Sequence, residues 1–149
     1  MAGPMDVKGL LVVALALCLA ACAGEPVAPV SSKTVLEKRF AAFNRRDLDA
    51  IVALYAPDAV EISPGFCSDR SGPEGARRTY GELFQAFPDI TDEVTTYVVD
   101  DDHVAVEFVA HVGKPGAGFS FHIANFLTLE HGLIKRDVTY FDTKGRPCA

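Results

Sequence analysis

Nothing in this chain is built from one kind of charge. Its 149 residues carry 14 Lys and Arg against 20 Asp and Glu, a net charge of −6 with the two signs interspersed. No basic face is clustered as nucleic-acid binding requires, so nucleic acid is not an expected partner. Metal-ligand spacing is equally scarce: the four histidines, His103, His111, His122 and His131, form no His-Glu-x-x-His pattern. His131 belongs to the turn Glu130-His131-Gly132, and strand alternation puts His122 on the face opposite Asn125. The acidic run Asp100-Asp101-Asp102 is far shorter than a calcium loop and reads as a solvated turn. No metal or other cofactor is expected. There is no internal repeat, and the apolar run from Gly9 to Ala21 falls short of the ~20 residues that a mature membrane-spanning helix needs.

That run does have a use. It follows Lys8 and reads as a signal peptide over residues 1–21. Its end, Leu19-Ala20-Ala21-Cys22, resembles the bacterial lipobox, in which cleavage just before the cysteine leaves a sulfur that takes a diacylglycerol. The alternative is an ordinary secretory cleavage with Cys22 free. Lipid on Cys22 would make a stable anchor, since each buried methylene contributes ~0.8 kcal/mol. Ala23 after the cysteine resembles outer-membrane sorting. The expected location is therefore outside the cytoplasm, lipid-anchored to the bacterial cell envelope at the outer membrane and facing the periplasm. Residues 22–33, rich in Pro, Ala and Ser without apolar periodicity, read as a tether, and residues 34–149 as one domain with a single core. Cys18 leaves with the signal and Cys22 takes lipid, so Cys67 and Cys148 remain as an even pair in an oxidising compartment. A disulfide is expected, a free or metal-binding pair being the alternative.

Thr34-Val35-Leu36-Glu37 has capping-box form, and Leu36, Phe40 and Phe43 recur at helical spacing, which predicts a helix from Val35 to about Arg45. Asp47 can cap a second helix whose face is Leu48, Ile51, Val52 and Tyr55, with Pro57 stopping it. Ala59 to Ser63 reads as a short strand, and Cys67 to Gly72 as a polar loop. Pro73 sits in the first turn of a third helix with Ala76, Tyr80, Leu83, Phe84 and Phe87 as its buried stripe. From Thr91 the period changes to 2. Glu93 to Val99, His103 to Val112, Phe119 to Leu129 and Leu133 to Phe141 are strand-like. Helices followed by an antiparallel meander argue for an α+β domain with helices on one face of a curved sheet. The aromatics Phe40, Phe43, Tyr55, Phe84, Phe87, Phe108, Phe121 and Phe126 read as core, some of them also lining a cavity.

Three blocks, FAAFNRRDLDAIVALYAPDAVEISPG from Phe40, GPEGARRTYGELFQAFPDI from Gly72 and NFLTLEHGLIKRDVTYFD from Asn125, resemble the nuclear transport factor 2-like superfamily in its SnoaL-like and ketosteroid-isomerase-like branches. The resemblance implies a cone: three helices packed on a curved, mixed and mostly antiparallel sheet, with a cavity between, and it admits a homodimer. It places the isomerase branch's general-base aspartate at Ser63, which cannot take a carbon-bound proton without a base of its own. The oxyanion-donor aspartate falls on Asn125, whose amide can still donate. The donor tyrosine falls near Arg39 or Phe40, neither a phenol. The histidine and acid of the cyclase branch's last strand fall on Asp137 and Thr139, so an acid is present but displaced.

By strand alternation Glu61 shares a face with Ser63, and Asp137 with Lys135, Thr139 and Phe141. If those faces are concave, Glu61 and Asp137 are candidate catalytic carboxylates and Ser63, Asn125 and Thr139 candidate ligand-binding residues. Two carboxylates in a poorly hydrated pocket disfavour joint ionisation and raise at least one pKa. The alternative leaves Glu61 solvated and Asp137 paired outside with Lys135 or Arg136. The expected function is binding of a small, mostly apolar molecule. An isomerase, cyclase or dehydratase using a cavity carboxylate, and a protein-interaction module using the outer sheet face with His111 and His122, are the alternatives.

Overall fold

The computed structural model describes residues 30–114, 116–146 and 148. The signal segment, the lipobox and Cys22 lie outside the described residues. Among the described residues no helix is long and apolar enough to cross a membrane.

Helix α1 spans Ser32–Asn44, and Ser31 caps it by accepting the Thr34 N–H at 3.2 Å. The cap thus stands three residues earlier than the Thr34 capping box suggests, and the ordered domain reaches into the expected tether. Val35, Leu36, Arg39, Phe40 and Phe43 form its buried face. The chain turns at Arg46, which is left-handed at φ 56° and donates its N–H to Phe43 O. Asp47 then caps α2, Leu48–Val52, by accepting the Ala50 N–H.

Strand β1 runs Tyr55–Ile62, so Tyr55 is not part of the helical face and Pro57 lies inside a strand. Pro57 fits there because the pairing of β1 with the last strand breaks between Tyr55 and Val60, where its missing N–H costs no ladder bond. A two-residue strand β2, Arg70–Ser71, edges the sheet before α3, Gly72–Ala86, with Pro73 in its first turn. Gly72 has φ +63°, and a Cβ there would stand 2.7 Å from the Pro57 carbonyl oxygen, so no other residue fits without moving the strand.

The meander is β3 Thr91–Asp100, β4 His103–Val112, β5 Phe119–Glu130 and β6 Leu133–Tyr140. The six strands are ordered β2-β1-β6-β5-β4-β3, antiparallel throughout except for the parallel β1–β6 pair. The three helices pack on one face, burying Leu36, Phe40, Phe43, Ile51 and Ala76 against Val104, Val106, Phe108, Leu127 and Ile134. This is the α+β cone expected from the sequence. Phe126 is a correction: it stands 49% exposed on the opposite, convex face, stacked edge-on against Tyr140. Its even position on β5 sets it against Asn125 and Leu127, which are buried.

A disulfide joins Cys67 in the β1–β2 loop to Cys148 with a Cα separation of 4.9 Å. It ties the C-terminal tail to that loop.

Candidate active site

Between the concave sheet and the helices lies a cavity of about 400 Å³, within the range of small-molecule sites. Its walls are mainly apolar, with Phe43, Phe66, Phe87, Phe108, Phe121 and Phe141 prominent, and its polar groups converge from separate elements. The parallel ladder brings Glu61 on β1 directly opposite Asp137 on β6. Both face inward, 4% and 3% exposed. The solvated placement of Glu61 is thereby excluded, and so is the outer pairing of Asp137: Lys135 turns instead to Asp58 and Glu130.

The two carboxylates differ in how they are held. Asp137 is saturated. Its Oδ2 accepts the Tyr55 hydroxyl at 2.7 Å and lies 3.4 Å from the Arg39 guanidinium, while its Oδ1 accepts from Asn125 Nδ2 and, at 3.4 Å, from Thr139. Because the one phenolic proton of Tyr55 goes to Asp137, the 2.8 Å contact between the two tyrosines must be Tyr80 donating to Tyr55. Tyr80 in turn accepts from Arg39 Nε at 3.1 Å. Burial pushes both phenols well above their usual range, with the Asp137 charge adding to it, so they remain donors at any ordinary pH.

Glu61 has weaker support, with only the Thr79 hydroxyl and the Arg39 and Arg70 charges favouring its ionised form. Its Oε1 is buried with no hydrogen-bond partner among the described residues. Burial first, and the Asp137 charge second, raise its pKa from the ordinary 4.5 to about 7. A carboxyl group pushed up to about 7 in the wall of a mostly apolar cavity is equipped to take up and return a proton.

Ser63 and Thr139 line the cavity. Ser63 Oγ accepts the Gly65 N–H at 3.2 Å, which leaves its own proton free to donate into the cavity. Asn125 is placed differently from the expectation. It is fully buried behind the wall, its Nδ2 directed to Asp137, the Val138 carbonyl and Thr139. It orients Asp137 and presents no donor to the cavity.

Among the polar residues of the site that were not singled out in the sequence as its chemistry are Arg39, Tyr55, Tyr80 and Asp92. Arg39 sits on the buried stripe of α1 between Leu36 and Phe43, where a charge must find a partner. Tyr55 and Tyr80 lie at core positions, and a buried phenol seeks a bond for its hydroxyl. Asp92 lines the far side of the cavity from β3. Among the described residues no group of three or more His, Cys, Asp or Glu is arranged to hold a metal.

A cone of helices on a curved sheet around an apolar cavity, with a few buried acids in its wall, is an α+β domain of the nuclear transport factor 2-like type. The chain belongs to the SnoaL-like domain family, whose pattern matches residues 36–137. Among solved structures it is similar to wild-type IdmH, a candidate polyketide cyclase from Streptomyces antibioticus, at 27% identity over 75% of this chain and 92% of that one, with a TM-score of 0.66. It shares its fold with AclR, a candidate hydroxylase from Streptomyces galilaeus, at 22% identity over 75% and 89% of the two chains and a TM-score of 0.65. It also shares it with a hypothetical protein of ketosteroid isomerase-like fold from Catenulispora acidiphila, at 19% identity over 73% and 85% and a TM-score of 0.66. Comparison with curated proteins finds no match.

Proposed function

We propose that this domain takes a small, mostly apolar carbonyl compound into its cavity and moves a proton on it, an isomerase- or cyclase-type reaction with Glu61 as the base. One observation carries this reading: Glu61 is buried in the cavity wall, unpartnered at Oε1, and titrates near 7. Glu61 would take a proton from the carbon next to the carbonyl. The charge that develops on the carbonyl oxygen would be met by the free Ser63 hydroxyl and the cavity edge of the Arg39 guanidinium. In an unsaturated ketone, returning the proton to a different carbon of the conjugated enolate completes an isomerisation, whereas attack of the enolate carbon on a second carbonyl, with the Glu61 proton passing to the alkoxide so formed, completes a ring closure and restores the Glu61 carboxylate. Asp137 holds Arg39 and the two tyrosines in place and is not the base, since its lone pairs are already taken. The similarity to a candidate polyketide cyclase supports this choice over binding alone.

The test uses 2-tetralone, a bicyclic ketone that the cavity can hold, with exchange of its α-protons for deuterium followed by NMR. The purified protein should accelerate exchange, with a rate that rises as pH passes through about 7 and then levels off. Glu61→Gln should abolish the acceleration. Retention of the rate in that variant refutes Glu61 as the base, and absence of any acceleration in the wild type refutes proton transfer on such ketones.

Two further readings belong to the same proposal. The chain is exported and lipid-anchored through Cys22, facing the periplasm from the outer membrane. The convex sheet face, where Val98, Phe126 and Tyr140 stand exposed, packs against a second copy of the chain.

A further inference from the structure

We infer that the end of the cavity formed by Asp92 with Phe87, Phe108 and Phe121 binds the protonated amino group of a mostly apolar amine. The inference names a ligand class for the cavity and rests on its being a small-molecule site, but not on Glu61 acting as a base.

Asp92 is the second residue of β3, and its backbone is fixed on both sides by Asn44: the Asp92 N–H donates to Asn44 Oδ1 at 2.8 Å and Asn44 Nδ2 donates to the Asp92 carbonyl at 2.9 Å. The direction of its side chain is therefore set, yet the carboxyl group is not used. Its Oδ1 is buried with no hydrogen-bond partner among the described residues. Across the sheet Asp92 stands opposite Ala110, and Ala110 opposite Phe121. The small alanine leaves open space over the strands between an acid and an aromatic ring.

The charges of the cavity wall do not balance. Its acids are Glu61, Glu82, Asp92 and Asp137 and its bases Arg39 and Arg70. Arg70 pairs with Glu82 and Arg39 with Asp137, so Glu61 and Asp92 are left without a counter-charge. The groups around Asp92 do not supply one: Arg39, on α1, is committed to Asp137 and Tyr80, Arg46 donates to the Ile90 carbonyl, and His111, on β4, turns to Glu93. Burial raises the Asp92 carboxyl to about 7, with Arg39 and His111 only opposing that rise. A cation inside the cavity would relieve both defects at once. It would complete the hydrogen bond and restore the carboxylate, while phenylalanine faces attract positive charge through their quadrupoles. A small hydrated cation gains nothing from such walls, so the cation must carry an apolar body. The Asp92 end suits it better than the Glu61 end, where the Arg70 guanidinium adds to that of Arg39 in opposing a second positive charge.

The experiment compares 2-aminotetralin with 2-tetralol, which share one skeleton, by calorimetric titration of the purified protein. The amine stays protonated from pH 5.5 to pH 8. At pH 8, with Asp92 ionised, the amine should bind at least about tenfold tighter than the alcohol. The preference should shrink at pH 5.5, where Asp92 is protonated, and vanish in Asp92→Asn. The alcohol needs no carboxylate and reports whether the cavity of the variant is intact. Persistence of the preference in Asp92→Asn overturns the inference, as do equal binding of the two probes in the wild type, no binding of either at millimolar concentration, and loss of alcohol together with amine. Loss of the preference in Glu61→Gln instead would place the cation at the other end and overturn it too. Amine preference without tetralone exchange refutes the proton-transfer reading and leaves this one standing, and exchange without amine preference does the reverse.

Discussion

Replacing Glu61 with glutamine should make the protein more stable, and by an amount that depends on pH. The swap keeps the size and planarity of the side chain and removes only the charge. In the native state burial and Asp137 hold the Glu61 carboxyl at about 7, against 4.5 for an unhindered glutamate. The folded protein thus binds this proton more tightly than the unfolded chain does. The resulting stabilisation is present in full below about 4.5, declines as pH rises through about 7 and is gone above it. At roughly 1.4 kcal/mol per pH unit the wild type forfeits about 3 kcal/mol between those limits. The glutamine variant forfeits nothing at this position. Urea unfolding should therefore find the two proteins nearly equal at pH 4 and the variant ahead by about 3 kcal/mol at pH 8, a midpoint difference of roughly 1–3 M for a domain of this size. Asp92 adds a similar slope to both proteins and cancels from the comparison. An advantage that is the same at both pH values, or none at pH 8, would mean that Glu61 ionises without hindrance, and the argument for it as a poised base would fall with it.

Asp137→Asn should be costly where Glu61→Gln is not, because it leaves the buried Arg39 guanidinium without its counter-charge; a loss of about 3–5 kcal/mol is expected in the same unfolding assay. Replacing Cys67 and Cys148 by serine opens a loop whose ends are 81 residues apart and should lower stability by about 4–5 kcal/mol, with reductant giving the same result on the wild type. Cys22→Ser should leave the precursor uncut or move the protein to the soluble fraction, and unchanged membrane association after fractionation would refute the lipid anchor. Sedimentation should show a dimer that Phe126→Glu together with Tyr140→Glu converts to monomer; a wild-type monomer at micromolar concentration refutes pairing through the convex face.

The fold was largely legible because its elements obey simple periods. The limits of β4, His103–Val112, coincide with the alternating run in the sequence, and the proline at the start of α3 marks that helix. Tyr55 was misplaced for a definite reason: Leu48, Ile51, Val52 and Tyr55 continue a helical spacing across the point where the backbone leaves the helix, and spacing cannot register that the Leu54 carbonyl is claimed by the Ile134 N–H on β6. The site was legible only in part. Alternation grouped Glu61 with Ser63 on β1 and Asp137 with Thr139 on β6, but which faces are concave and which acid is saturated depend on packing and on the hydroxyls of Tyr55 and Tyr80, whose spacing marks them only as ordinary core. Asn125 was read as a wall residue because it shares the concave face. Facing the interior and reaching the cavity are different conditions, and the side chains of Asp137 and Thr139 occupy the amide's donors.

The parallel β1–β6 ladder has a consequence for the order in which the molecule comes into being. It joins the first long strand to the last, so Glu61 meets Asp137, and Tyr55 the same aspartate, only after the intervening helix and three hairpin-linked strands have been threaded through. The β3–β4–β5 ribbon can zip locally as it emerges, whereas the ladder that closes the site spans most of the domain and has to wait for loop closure over that distance. A nascent chain short of Leu133 can hold secondary structure but neither the acid pair nor the Arg39 clamp. Completion of the last strand is thus the event that turns a collapsed chain into one with a ligand site, and slow steps in refolding should be sought at that docking, not in the helices.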